Sequence, residues 1–185
     1  MKGVVFTVFQ EIIEDNFGLE MYDRLIQSCE LPSDAAYTAV GTYDHTELMQ
    51  LVGRLSMETG TPVPELVKAF GKHLFGALAT AYPQFAEEVD NSIDFLASIE
   101  DYIHVEVKKL YPDAELPTFE FEQTGEHQWE LRYFSTRPFA DLCEGLVLAS
   151  IEHFGDPVDV LREDDVDQPG TRARFLLTSR ERVPA

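Results

Sequence analysis

Three hydrogen-bond donors occupy alternate positions in one segment, namely Tyr133, Ser135 and Arg137. Alternate residues of an extended strand leave the same face, so a phenol, a hydroxyl and a guanidinium would form one row. The planar guanidinium suits a carboxylate, and the two hydroxyls add neutral donors. The pattern therefore predicts a site for a bound anion. The competing interpretation is a polar strand end whose Arg137 pairs with one of the many surface carboxylates.

His104 is a second candidate, because a neutral imidazole can ligate a metal. It lies on a predicted helix beside the apolar stripe that runs through Ile103 and Val107. The alternative is a partly buried histidine that is hydrogen-bonded to the backbone. None of the five histidines is four residues from another, and residues 155–185 contain neither His nor Cys. Clustered zinc ligands are therefore not predicted.

The charge of the chain excludes several classes of function. Its 185 residues include 14 Lys and Arg against 34 Asp and Glu, a formal net charge of −20. Such a field repels polyphosphate, which argues against binding to nucleic acid or to an anionic membrane. No phosphate-binding glycine loop, nucleophile motif or Cys-x-x-Cys occurs in the sequence, so an enzyme is not expected.

Cysteine content and apolar runs indicate the compartment. No apolar run reaches 18 residues, and the start of the chain does not continue into a signal peptide, so no membrane segment or leader is expected. Cys29 and Cys143 are too few and too distant in sequence to form a disulfide framework. We therefore expect a cytoplasmic protein.

The candidate residues lie on elements that the apolar periodicity predicts. Helical spacing runs through the first 111 residues, and a period of two follows it. The first two predicted helices are 2–17 and 19–29. The third is capped by Asp44 or Thr46 and ends near Gly60, and the fourth begins at Thr61-Pro62 and ends before Pro83. The fifth runs from Asp90 or Ser92 to Leu110. The predicted strands are 118–122, 129–133, 158–161 and 172–177, with a helix from Pro138 to Gly155 between the second and third.

This order of elements predicts an α+β fold. The N-terminal helical subdomain covers about residues 1–111, and the small antiparallel sheet with its inserted helix covers about residues 112–185. The length is that of one domain, so residues 1–185 are expected to fold as a single unit.

Several of these residues together resemble a known family. They are the start Met1-Lys2-Gly3-Val4-Val5-Phe6, the run from His104 to Asp113, Pro117 thirteen residues after His104, and the motif Tyr133-x-Ser135-x-Arg137. The chain resembles the H-NOX family, the haem nitric oxide/oxygen binding domains to which the haem domain of soluble guanylate cyclase also belongs. The resemblance extends over nearly the whole chain.

The resemblance implies a b-type haem between the two halves. His104 would be the proximal ligand of the iron, and Tyr133, Ser135 and Arg137 would hold the two propionates. Pro117 would press on the porphyrin and help to hold it out of plane, although its alternative is an ordinary loop proline. Val5 and Leu146 fall where family members pack apolar side chains against the haem, and each could equally be core.

The residue at position 142 indicates whether a bound haem would favour O₂ or NO. Oxygen-binding members carry a distal Tyr nine residues beyond the tyrosine of the motif, and this chain has Leu142 there. Bound O₂ gains from a distal donor, whereas NO on ferrous iron needs one much less, so the resemblance implies an NO sensor. An O₂-binding haem sensor and a haem-free acidic protein-interaction module are the alternatives. Some members carry a zinc cluster, but Ala140 stands near its expected first Cys, so no zinc is expected.

The resemblance also implies a mechanism and partners. NO, with CO as a second candidate ligand, binds ferrous iron and weakens the bond to His104, and the two halves then shift between two arrangements. Stand-alone bacterial members act on separate proteins. A histidine kinase or a cyclic-di-GMP synthase or phosphodiesterase is therefore the expected effector, because the chain ends at Ala185 with no room for one.

Overall fold

The first half of the chain is helical, as predicted. The computed structural model describes residues 1–180. Its helices in this half are α1 (Gly3–Phe17), α2 (Leu19–Gln27), α3 (His45–Thr59), α4 (Val63–Ala81), α5 (Gln84–Glu87), α6 (Ser92–Ser98) and α7 (His104–Leu110), with a π-helical segment (Ile99–Ile103) between the last two. No helix among these residues is long and apolar enough to cross a membrane.

The ends of the helices follow local signals in the sequence. Asp44 caps α3, because its carboxylate accepts a hydrogen bond from the amide of Thr46 at 2.9 Å. Gly60 ends the same helix in the left-handed region, with φ of 73°. The cap of α6 differs from the prediction of Asp90 or Ser92. Asn91 takes that position, and its side chain accepts from the amide of Asp94 at 2.9 Å.

The predicted long helix that ends at Leu110 is interrupted. Residues Ile99–Ile103 form a π-helical turn, in which the amide of His104 donates to the carbonyl of Ile99 five residues earlier. Such a turn adds a residue to the helix and is often found at functional sites. The interruption places His104 at the first position of α7.

The second half is a four-stranded antiparallel sheet, which confirms the α+β prediction. Its elements are β1 (Thr118–Gly125), β2 (Gln128–Phe134), α8 (Ala140–Phe154), β3 (Val158–Asp164) and β4 (Arg172–Ser179). The order of the strands in the sheet is β1-β2-β4-β3. Helix α8 ends at Gly155, which is also left-handed, with φ of 70°.

Helix α8 contributes to two apolar cores. Leu142 and, four residues later, Leu146 pack in the core of the helical half. Cys143 and Val147 pack on the sheet, where Leu131 and Phe175 are fully buried. Because residues four apart share a helical face, α8 presents one face to each half.

Helices α4 and α8 touch through their backbones. A Cβ atom at Gly145 would overlap the carbonyl oxygen of Lys68 and lie 2.9 Å from the Cα of Gly71. A Cβ atom at Gly71 would in turn overlap the carbonyl oxygen of Leu142. Only glycine at both positions permits this close contact between the two backbones. The contact packs α4 of the helical half against α8, the helix that also packs on the sheet.

Candidate functional site

The imidazole of His104 lies at the junction of α7 and the sheet. Its side chain is 12% exposed, and its ring centroid is 5.6 Å from that of Phe119 on β1. The ring of Phe119 is in turn 5.7 Å from that of Tyr133 on β2. His104 therefore faces the strand pair that leads into the predicted anion site.

One carboxylate controls the hydrogen bonding of this histidine. Nδ1 of His104 is 3.2 Å from Oε2 of Glu100, and the same oxygen accepts from the amide of Phe119 at 3.0 Å. Burial lowers the pKa of His104, and the charge of Glu100 opposes this effect. The neutral ring favoured by burial is the form that ligates a metal. With Nδ1 engaged by Glu100, Nε2 is the nitrogen available for it.

A turn after β2 brings the three residues of the motif Tyr133-x-Ser135-x-Arg137 close together. Strand β2 ends at Phe134, so the three side chains do not continue along one extended face as the spacing suggested. The amide of Arg137 donates to Oγ of Ser135 at 3.0 Å, and the hydroxyl of Tyr133 lies 3.5 Å from the carbonyl oxygen of Arg137. The three residues are therefore neighbours despite the change of direction.

Tyr133 is a neutral donor in this group. It is only 3% exposed, and burial raises the pKa of its hydroxyl to about 12. The phenol therefore keeps its proton throughout the physiological range and can donate to an anion.

Arg137 already has a carboxylate partner. Its guanidinium donates to the carbonyl oxygen of Glu115 at 3.0 Å and forms an ion pair with the carboxylate of the same residue. This is the kind of pairing that the competing interpretation of the motif predicted. The side chain of Arg137 is 15% exposed, whereas that of Glu115 is 74% exposed, so the carboxylate reaches the guanidinium from the solvent side.

A pocket of about 390 Å³ opens beside Arg137. Lys2, directly before α1, meets the loop after α7 there, because its Nζ donates to Asp113 at 3.3 Å. The same Nζ donates to Thr42, in the loop before α3, at 2.9 Å. Glu115 lies in the same loop and also lines the pocket. The helical half, the loop and the motif thus converge at one place on the surface.

Pro117 lies at the end of the same loop, directly before β1. It is half-buried, and it stands two residues before Phe119, whose ring contacts His104. Pro117 therefore lies between the loop that carries Glu115 and the strand that carries Phe119.

The three apolar candidates pack in the core of the helical half. Leu142 is buried there, and Val5 and Leu146 are half-buried against the same cluster, which also includes Phe9 and Leu74. Helix α8 connects this cluster to the sheet, because Leu142 belongs to the helical core and the adjacent Cys143 to the sheet core.

Ala140, near the position where some family members have their first zinc-ligating Cys, begins α8. Ala140 is fully buried, and its amide donates to the carbonyl of Gly170 at 2.9 Å. Within residues 1–180 there is no group of three or more His, Cys, Asp or Glu side chains that could hold a metal ion.

Two residues at this site were missed by sequence reasoning. The position of Glu100, four residues before His104, is a helical spacing that brings side chains together and could have been noticed. Glu115 carries no such signal, because it contacts Arg137 across 22 residues of sequence.

The family model described as Haem-NO-binding matches residues 2–162 of the chain. The chain belongs to the haem-NO-binding, or H-NOX, family. Members of this family are haem-based gas-sensor domains. A comparison with curated proteins finds no match.

Solved H-NOX structures are similar over the whole length of the chain. An Fe(II) unliganded H-NOX protein from K. algicida is 38% identical with a TM-score of 0.90, and the match covers 100% of both chains. An H-NOX from Shewanella woodyi, bound to IWP-051 in the Fe(II)CO state, is 45% identical with a TM-score of 0.84, covering 100% of this chain and 97% of that one. An H-NOX from S. oneidensis in the Fe(II)NO state is 26% identical with a TM-score of 0.90, covering 98% and 100%.

The donor set of this chain fits a haem. A largely buried neutral imidazole with Nδ1 held by a carboxylate is the usual form of a metal-ligating histidine. A guanidinium with two hydroxyls beside it suits carboxylates such as propionates. Leu142, Val5 and Leu146 supply apolar surface of the kind that a porphyrin face requires.

Proposed function

We propose that this chain is a haem-based NO sensor that regulates a separate signalling protein. The observation that carries the proposal is His104, whose neutral ring is positioned by Glu100 with Nε2 left for a metal. His104 would hold the iron of a b-type haem, and the ferrous iron would supply the binding site for a diatomic gas. Residues 1–185 act as a single domain in this proposal.

Tyr133, Ser135 and Arg137 would hold the two propionates. The phenol is buried and neutral, so it donates without carrying charge into the site. Arg137 supplies the positive charge, after release from Glu115, and its planar fork can meet a carboxylate with two parallel hydrogen bonds. Pro117, Val5 and Leu146 would pack against the porphyrin.

Leu142 supports NO rather than O₂ as the ligand. Its side chain is buried in an apolar cluster with Phe9 and Leu74, and it has no donor to offer. Bound O₂ is polarised and is retained through a distal hydrogen bond, whereas NO binds ferrous iron strongly without one. CO, which is also nearly apolar, is the second ligand that we expect.

The position of His104 supports a route by which its release from haem would be transmitted. His104 opens α7, the last helix before the chain crosses into the sheet, and its ring contacts Phe119 on β1. Loss of the bond between His104 and the haem iron would relax the constraint between α7 and the sheet, and the two halves would then populate a second arrangement. The output is a changed contact surface.

The effector that we propose is a cytoplasmic histidine kinase or a cyclic-di-GMP synthase or phosphodiesterase. The net charge of −20 supports a protein partner with a basic face rather than nucleic acid. The domain itself would carry no catalytic activity.

Visible absorbance of the purified, reduced protein tests the proposal. We expect a Soret band that shifts with NO and forms no stable adduct in air. A stable adduct in air would instead assign O₂ sensing and a distal donor other than Leu142. The absence of a haem band after addition of haemin would refute both haem functions and leave an acidic interaction module.

A further inference from the structure

A single carboxylate oxygen joins the predicted iron ligand to the sheet. Oε2 of Glu100 lies 3.2 Å from Nδ1 of His104 and 3.0 Å from the amide nitrogen of Phe119. These two donors belong to different halves of the fold, since His104 begins α7 and Phe119 is the second residue of β1. Glu100 therefore adds a hydrogen-bonded link between the two halves at this point.

This hydrogen bond selects one tautomer of the histidine. A carboxylate only accepts hydrogen bonds, so the proton of the neutral ring is on Nδ1 and the lone pair is on Nε2. A carboxylate partner also makes the opposite ring nitrogen a stronger ligand and fixes the plane of the ring. The imidazole is thus oriented by the protein rather than by the metal.

The backbone around Glu100 favours this arrangement. Glu100 lies in the π-helical segment that directly precedes His104. Its side chain is 37% exposed, so the carboxylate keeps part of its hydration while one oxygen serves both donors.

We propose that Glu100 is a positioning residue that holds His104 as the Nδ1–H tautomer, which leaves Nε2 to ligate a haem iron, and that it fastens α7 to β1 through the amide of Phe119. This proposal rests on the proposed haem site. It goes beyond that site because the same residue sets the strength of the ligand and attaches the ligand to the sheet.

The first test is amide hydrogen exchange at Phe119, measured by NMR on the full-length protein as purified. Glu100→Gln keeps the size of the side chain but replaces a charged acceptor with a neutral one. We expect exchange at Phe119 to become about three- to tenfold faster. Glu100→Asp keeps the charge but withdraws the oxygen by one methylene, and the same acceleration is expected.

Glu106→Gln is the matched control. Glu106 is 34% exposed, close to the value for Glu100, but its carboxylate pairs with Lys109 at 2.5 Å. Exchange at Phe119 should be unchanged in this variant. Faster exchange in Glu100→Gln with wild-type exchange in Glu100→Asp would indicate a long-range effect of charge and would overturn the proposal. Unchanged exchange in both would overturn it as well.

The second test is the iron–histidine stretching frequency of the reduced protein, measured by resonance Raman spectroscopy. Loss of the carboxylate partner makes His104 a weaker ligand, so Glu100→Gln should lower this frequency and Glu106→Gln should not. Equal frequencies in the two variants would refute the positioning role. A protein that takes up no haem would refute the proposed function instead, while exchange at Phe119 would still test the link between Glu100 and the sheet.

Discussion

Haem affinity should respond in opposite directions to two substitutions at one ion pair. Arg137→Gln removes the positive charge proposed to bind a propionate. Glu115→Gln removes the carboxylate that occupies the same guanidinium in the structure. If a propionate must displace Glu115, the first variant should bind haem more weakly and the second more tightly.

The exposure of the two partners sets the size of each effect. The side chain of Arg137 is 15% exposed, so its charge-assisted hydrogen bonds to a carboxylate contribute about 1.5–3 kcal/mol. Arg137→Gln should therefore weaken haem binding by roughly 10- to 150-fold. Glu115 is 74% exposed, and an ion pair of that kind contributes about 0.2–1 kcal/mol. Glu115→Gln should therefore tighten binding by only about 1.5- to 5-fold.

Transfer of haem to excess apomyoglobin, followed at the Soret band, measures these changes. Glu126→Gln is a suitable control, because Glu126 is 82% exposed and its only ion-pair contact within residues 1–180 is His127 at 4.0 Å. The gain from Glu115→Gln should also shrink as salt is added, since an exposed pair is screened. Weaker binding in Glu115→Gln, or unchanged binding in Arg137→Gln, would refute the competition between Glu115 and a propionate.

Three other predictions follow from the same structure. His104→Ala should lose the haem or its normal reduced spectrum, and added imidazole should restore it; an unchanged spectrum would assign the ligand to another histidine. Leu142→Tyr should produce a stable adduct in air by supplying a distal donor, and unaltered reactivity with O₂ would show that this position does not face the gas. Gly145→Ala should lower the free energy of unfolding by about 1–3 kcal/mol in chemical denaturation, because the new Cβ overlaps the carbonyl of Lys68. Gly76→Ala on α4 is the control: its Cβ meets nothing within 4 Å, so it should raise the free energy of unfolding by about 0.5–1 kcal/mol.

The sequence predicts the elements of this fold well because its local signals agree with the tertiary structure. Helical spacing and the Asp44 cap predict α3, and the alternation around Phe119 and Phe121 predicts β1. The π-helical turn is not predictable in this way. Ile99, Ile103 and Val107 keep the four-residue spacing of an ordinary helix, so periodicity does not register one inserted residue.

The site residues divide along similar lines. The sequence identifies the motif because Tyr133, Ser135 and Arg137 lie within five positions of one another. The sequence does not predict the turn after Phe134 that brings these residues together, because that turn depends on a contact with the loop before β4. The amide of Ser135 donates to the carbonyl of Thr171 at 2.9 Å. The sequence does not predict which carboxylate pairs with Arg137, because the chain has 34 acidic residues and the fold brings Glu115 to the guanidinium.

Several contacts of this site involve the segment between the start of α7 and the start of β1, which connects the helical half to the sheet. His104 stands at its beginning, Lys2 binds Asp113 in its loop, and Glu115 binds Arg137 from the same loop. In the proposed function, a change at His104 would therefore act directly on the segment that joins the two halves. Packed cores switch between discrete arrangements rather than deforming continuously. The segment between α7 and β1, where Glu100 contacts Nδ1 of His104 and accepts from the amide of Phe119, is therefore the place at which we propose that the two arrangements of the halves differ.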